Sequence, residues 1–202
     1  DLSGIRTAVP QFDLHERYKD FVFIILTFAP LTADSYLHGI ITALRSQLMS
    51  PRIGLVIIGS GPAKQLFKEK VKLIGIERSV AFVEPGEDMT SFLKTADLLI
   101  EGGAGVDAER NVLRAAAAGL PVITAETEQI ASLFQDGTNA FVCPKGDVEC
   151  LGKKTNLFLN QSSYRSLFSR TAADIVATRV DEDPVRYYET YRDTIECIIS
   201  ST

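Results

Sequence analysis

Short, wholly apolar runs alternate with segments of helical period along this chain. Phe21-Val22-Phe23-Ile24-Ile25-Leu26 is a continuous β-branched and aromatic run, the pattern of a strand buried on both faces. Leu37, Ile40, Ile41, Leu44 and Leu48 then recur at helical spacing, with Asp34 or Ser35 placed to cap that helix. Leu55-Val56-Ile57-Ile58 reads as a second strand ending in Gly59-Ser60-Gly61-Pro62, and a helix through Leu66, Val71 and Ile74 stops at Gly75. Val80–Val83 is a third strand, ending at Glu84-Pro85-Gly86. A short helix (Met89–Lys94), a strand at Leu98–Ile100, a helix from about Ala108 to Ala118 and a strand at Val122-Ile123 follow. A helix near Glu128–Phe134, an Asp136-Gly137 turn and a sixth strand at Ala140–Val142 complete the alternation. From Asp147 onward the pattern is helical and amphipathic. Strands and helices alternating at this spacing predict an α/β fold: a doubly wound parallel sheet with a helical C-terminal segment.

Residues 1–20 differ: they are polar and without strong period, a linker or domain entry, so residues 21–202 read as one domain. So abrupt an opening is expected of a piece of something longer. At 202 residues and 46% hydrophobic content the chain can bury a full core. The net charge of −5, without a basic run, argues against a nucleic-acid surface. No apolar run approaches the roughly 20 residues of a membrane span, and the opening carries no signal-peptide pattern. Cys143, Cys150 and Cys197 lack a paired metal-ligand spacing, and their odd number argues against a disulfide framework; a reducing compartment is expected.

The densest chemistry lies where Leu98–Ile100 runs into Glu101-Gly102-Gly103-Ala104-Gly105 and then a small-residue helix. That layout puts a Gly-rich loop and a helix N-terminus at the carboxyl edge of a parallel sheet, where N–H groups converge on an anion such as a diphosphate. Four stretches occur in order along the chain with the Ala96-Asp97 step: Leu55–Pro62, Ala117-Ala118-Gly119-Leu120-Pro121-Val122, Phe134–Val142 and Pro144–Asp147. Together they resemble the C-terminal, donor-binding half of GT-B glycosyltransferases of the group 1, family four type, a Rossmann-like domain. The resemblance covers essentially the whole chain. It implies a retaining transfer from a nucleoside-diphosphate sugar, with no metal or other cofactor. It also implies a separate N-terminal acceptor-binding domain as partner, which these residues do not supply. The implied setting is cytoplasmic, with action at a membrane face left open.

The family's functional residues do not carry over in register. Its two glutamates, seven residues apart before the A-A-G-L-P segment, fall on Val106 and Arg114, neither of which accepts hydrogen bonds as a carboxylate does. Its cationic pair after the first strand falls on Pro30 and Ser35, which leaves a diphosphate leaving group without those partners. A literal pair with the family spacing stands at Glu101 and Glu109, five residues early, a shift of about 7.5 Å along a helix.

Glu101 and Glu109 are therefore the candidate catalytic pair in a displaced register. Gly59, Gly61, Gly103, Gly105, Arg114, Glu84, Glu128 and Gln129 are the candidate donor-binding residues. Each has a plainer reading beside it. Gly59 and Gly61 suit any strand-to-helix turn, and Asp107 and Glu109 suit a helix first turn by charge–dipole attraction. Arg114 is either a phosphate ligand standing in for the missing cations or a solvated face of an Ala-rich helix. Glu84 and Glu128-Gln129 lie on strand-end loops that meet base and phosphates in the family, where acids oppose a diphosphate. His15 and His38 read as ordinary surface residues, and Cys143 as packing. Three functions stay open: half of a transferase, a degenerate binding or scaffolding module, or another GT-B chemistry such as epimerisation or phosphorolysis.

Overall fold

A computed structural model of the chain describes residues 2–179 and Arg192. Two short helices, α1 (Leu2–Thr7) and α2 (Leu14–Arg17), precede β1 (Phe23–Phe28). The alternation then runs α3 (Leu37–Ala43), α4 (Arg45–Leu48), β2 (Ile53–Ile58), α5 (Lys64–Leu73), β3 (Val80–Val83), α6 (Met89–Thr95) and β4 (Leu98–Glu101). It continues through α7 (Val106–Ala117), β5 (Val122–Ala125), α8 (Glu128–Leu133), β6 (Phe141–Cys143), α9 (Val148–Asn160) and α10 (Ser162–Arg179). The sheet order is β3-β2-β1-β4-β5-β6, with every neighbouring pair parallel. This is the doubly wound, Rossmann-like α/β sheet that the alternation predicts, with the direction of winding reversing between β1 and β4. The rest of the expected C-terminal helical segment, and Cys197, lie outside the described residues.

Side-chain alternation explains the two layers. Phe23 and Ile25 of β1 pack on the face covered by α3, α4, α5 and α9, whereas Ile24, Leu26 and Phe28 pack on the face covered by α6, α7 and α8. Apart from Thr27, which is fully buried too, the strand is apolar at every position, as expected of a strand buried on both faces. The helix α10 crosses between layers: Phe168 serves the first, Ala172 and Val176 the second. Local capping fixes where helices start. Asp88, Thr127 and Asp147 accept from the first-turn N–H groups of α6, α8 and α9.

Two local features differ from the sequence reading. The single helix expected over Leu37–Leu48 is broken at Leu44, which lies at φ −92°, ψ 1°. The break falls where α9 comes closest, since a Cβ on Gly152 would sit 3.0 Å from the Ala43 carbonyl oxygen. Ser35 does accept from the Leu37 N–H (3.2 Å), while Asp34 is exposed. Residues 2–20 enter the domain through specific bonds: the Gln11 N–H donates to Ser91 Oγ (2.6 Å) and the Leu14 N–H to Thr95 Oγ1 (3.1 Å). Leu14 itself is fully buried.

One expectation is corrected. Cys143 and Cys150 form a disulfide, with Cα atoms 5.8 Å apart, joining the end of β6 to the first turn of α9. The Pro144–Asp147 turn folds the chain back so that a strand end and a helix start meet, a geometry that spacing alone does not specify. Cys143 is buried as expected, but as half of a cystine rather than as a free thiol.

The loop closed by this bond is short, so its entropic contribution to stability is about 2 kcal/mol. Reduction under native conditions, or Cys150→Ser, is expected to lower unfolding stability by that amount in urea titrations. Alkylation of Cys143 and Cys150 should require prior reduction; free labelling of both in the native, unreduced chain would contradict the bond.

Candidate functional site

The sheet's carboxyl edge opens into a groove of about 600 Å³ where β1 and β4 diverge. Its walls are the ends of β1 and β2 (Phe28, Ala29, Pro30, Ile58, Gly59, Ser60), the Pro85–Met89 region, and the loop and helix from Gly103 through Arg114. Helix α7 runs along one side. Its N-cap is Gly105, and no side chain caps its first turn. Those N–H groups carry the partial positive charge of a 12-residue helix, and Ala104, Asp107 and Ala108, on either side of the cap, line the groove. The charged side chains of the lining are Asp107, Arg110 and Arg114, and Asp107 pairs with Arg110 one turn on.

Behind this wall lies Glu101, the last residue of β4, with no exposed surface. Its two oxygens accept from the Gly103 N–H (3.0 Å) and the Asn111 side-chain amide (3.0 Å). The Tyr36 hydroxyl lies beside it and donates to the Phe28 carbonyl. Burial pushes the Glu101 carboxyl above its ordinary range, against the lowering effect of these donors. Burial, reinforced by the Glu101 charge, raises the Tyr36 hydroxyl as well. Gly103 is required here, because a Cβ would stand 2.7 Å from the Tyr36 ring and 3.1 Å from Glu101 Oε1.

The candidate residues separate accordingly. Gly59, Gly103 and Arg114 line the groove; Gly105, the N-cap of α7, falls in sequence between lining residues Ala104 and Asp107 and is not in the lining itself. Gly59 has a structural reason of its own, since a Cβ there would fall 1.9 Å from the Ala29 carbonyl oxygen. Gly61 lies against the Leu31 carbonyl, outside the lining.

The structure does not bring Glu101 and Glu109 together. Glu109 points to the other side of α7, accepts from Thr127 Oγ1 (2.8 Å), and lines a second groove of about 270 Å³ with Gln129, Leu2 and Val106. Glu109 and Asn111 are two residues apart, about 200° around the helix, so only one can face Glu101. Glu84 is ion-paired to Lys64 at the protein surface, and Glu128 is exposed on the first turn of α8.

The histidines are occupied elsewhere. His15 Nε2 lies 3.2 Å from Asp97, and His38 stacks on Phe67 with Lys70 against Nδ1. Asp97 also accepts from the Ile24 N–H (2.7 Å), tying β4 to β1. Among the described residues no group of three or more His, Cys, Asp and Glu is placed to hold a metal, and no helix is long and apolar enough to cross a membrane.

Tyr36, Arg110 and Asn111 belong to the site and are not among the sequence candidates. Asn111 carried a signal: it falls on the stripe of Ala108, Val112 and Ala115 that α7 buries, and an amide on an apolar stripe needs a buried partner.

The fold and groove define a doubly wound, Rossmann-like domain with a cleft at its carboxyl edge, and comparison with known proteins places it more narrowly. Residues 15–174 match the family model for glycosyl transferases group 1. The chain belongs to that family. It is 26% identical over 175 residues to a chitobiosyldiphosphodolichol beta-mannosyltransferase from Debaryomyces hansenii, covering 81% of this chain. Among solved structures it is similar to the C-terminal domain of the group 1 glycosyl transferase LpcC from Francisella tularensis (TM-score 0.76, 18% identity, 89% of this chain and 98% of that one). It is also similar to Anabaena HepE in complex with UDP (TM-score 0.78, 19% identity, 99% of this chain and 55% of that one). These two likenesses are of fold. The chain spans between 21 and 36% of the length of the curated relatives it matches.

The raised Glu101 carboxyl has a consequence for stability. The folded chain holds this proton to higher pH than the unfolded chain does, so the contribution is greatest below about pH 4. It declines as pH rises through the ordinary carboxylate range toward the raised folded value. In Glu101→Gln that decline is absent, so urea titrations from pH 4 to 7 should find the variant gaining on the native chain as pH rises. A constant difference across this range would mean that Glu101 titrates normally.

Proposed function

We propose that this chain is the donor-binding half of a retaining glycosyltransferase, and that the groove beside α7 takes a nucleoside-diphosphate sugar. The observation that carries the reading is the convergence, in one groove at the reversal point of a parallel sheet, of an uncapped helix N-terminus with Arg110 and Arg114. A diphosphate is the chemistry such a groove favours, and apolar walls at Phe28, Ile58, Pro85 and Met89 suit the nucleoside. That HepE of the same fold takes UDP supports the choice of ligand. An N-terminal acceptor-binding domain closes the cleft over the sugar and completes the active site; without it the chain binds donor and turns over little. No metal is needed in this reading, since the helix and the arginines supply the positive charge.

Glu101 acts in this site from behind, as the group that positions Gly103 and Asn111, and not as a carboxylate touching sugar. A second reading, a binding or scaffolding module that has lost its chemistry, is favoured by one observation. Both glutamates are engaged away from the groove, which leaves Asp107 as the one acid in its lining.

Calorimetric titration with UDP, GDP and ADP, at protein concentrations that detect millimolar affinity, tests the proposal. Saturable binding of one nucleotide is expected, with Glu109→Gln within about twofold of the native affinity because Glu109 faces the neighbouring groove. Absence of binding by all three to the folded chain would overturn the donor reading. A large loss in Glu109→Gln would restore that residue to the donor site.

A further inference from the structure

The charges around the groove do not follow the chain as a whole. The protein carries a net charge of −5, yet the lining of this groove holds two arginines and a single acid. Asp107 is committed to Arg110. Arg114 is half-buried and makes no ion pair among the described residues. It lies one turn beyond Arg110 and about 12 Å along α7 from its start. Helical side chains lean toward the N-terminus, so both guanidinium groups lean toward the end of α7 where the N–H groups are uncapped. Arg110 and Arg114 also line the second groove, so they form a ridge between the two. The loop after β1 supplies no cation: Pro30 is in the lining, and Ser35 is buried outside it, bonded to the Leu37 N–H.

Resting on the donor-binding reading above, we propose that Arg114, assisted by Arg110, holds the diphosphate of the donor. The positive charge at the leaving group then comes from α7 rather than from the β1 loop. A guanidinium presents a planar fork of donors that matches two phosphate oxygens, whereas the helix N–H groups address the same anion from the mouth of the groove. At a half-buried arginine in this groove, such a contact is screened less by salt than one on an open surface.

The test compares the native 202-residue chain with Arg114→Gln, Arg114→Lys and Arg114→Glu, using inorganic pyrophosphate and the nucleoside diphosphates as probes. Because Arg114 has no ion-pair partner among the described residues, the three variants are expected to unfold near the native midpoint, which circular dichroism checks. Pyrophosphate affinity should fall about tenfold in Arg114→Gln, further in Arg114→Glu, and recover in part in Arg114→Lys. The nucleoside diphosphate that binds should lose affinity in the same order, while the corresponding nucleoside is unaffected.

Unchanged nucleotide affinity in Arg114→Gln would overturn the assignment and leave the donor reading standing. Tighter nucleotide binding by Arg114→Glu would also overturn it, since a carboxylate there would then be meeting ribose hydroxyls. Pyrophosphate binding that depends on Arg114, without any gain from a nucleoside, would keep the anion site and overturn the donor reading. Failure of pyrophosphate and all nucleotides to bind the native chain would overturn both.

Discussion

Glu101 ends β4 with no solvent contact, and a buried carboxylate is tolerated only where donors surround it. Two donors reach it, and a third group packs beside it. The Gly103 N–H turns the loop back over the strand end, Asn111 draws the first turns of α7 inward, and Tyr36 brings the segment before α3 against both. Tyr36 in turn donates to the Phe28 carbonyl at the end of β1. One side chain thus sets the relative positions of β1, β4, the Gly-rich loop and α7. These are the elements that make the groove, so its shape follows from satisfying a single acid. Losing a partner would leave the others buried and unpaired, which is why the cluster holds one geometry.

The sheet was legible in the sequence because its central strands are buried on both faces. A run such as Phe21 through Leu26, apolar at every position, admits few other placements, and the intervening helical periods and glycine stops fix the winding. The place of the groove was legible for the same reason, since a Gly-rich loop between β4 and α7 can only open at the carboxyl edge. Arg114 on that helix and Gly59 at the end of β2 both line it. The roles of the glutamates were not. Glu101 and Glu109 have a suggestive spacing, but it spans a strand end, a loop and the first turn of a helix. Whether two such residues converge depends on where the helix begins and on its rotation. The loop ends at Gly105, and Asn111 rather than Glu109 turns toward Glu101.

The disulfide escaped for a related reason. Cys143 and Cys150 meet because a turn reverses the chain between β6 and α9, and the meeting is a property of that turn. Tyr36 escaped because its partners lie on β1 and β4, far along the chain or across the sheet. The opening residues looked polar because only part of each short helix is covered. Leu14 and Phe12 pack inward, while Gln11, Asp13, Glu16 and Arg17 stay in water. In each case the missing information was tertiary: which distant group would be the partner.

On the donor-binding reading, helix α7 is the element on which binding converges. Ala108, Val112 and Ala115 bury one side of it against the sheet, and Asn111 pins it to Glu101. Its position is therefore fixed before any ligand arrives. The N–H groups of its first turn and the stems of Arg110 and Arg114 are held in one line along the groove. What an anionic ligand must still order is the arginine side chains, each with about 2 kcal/mol of rotamer entropy, and the Arg110–Asp107 pair that competes for one of them. Arg114 carries no such competitor among the described residues. In a chain of net negative charge, long-range attraction for a diphosphate is weak, and recognition depends on short-range charge held in place. On the donor-binding reading, a buried acid and an arginine without an ion pair among the described residues serve that end together: the acid fixes the helix, and the helix presents the arginine.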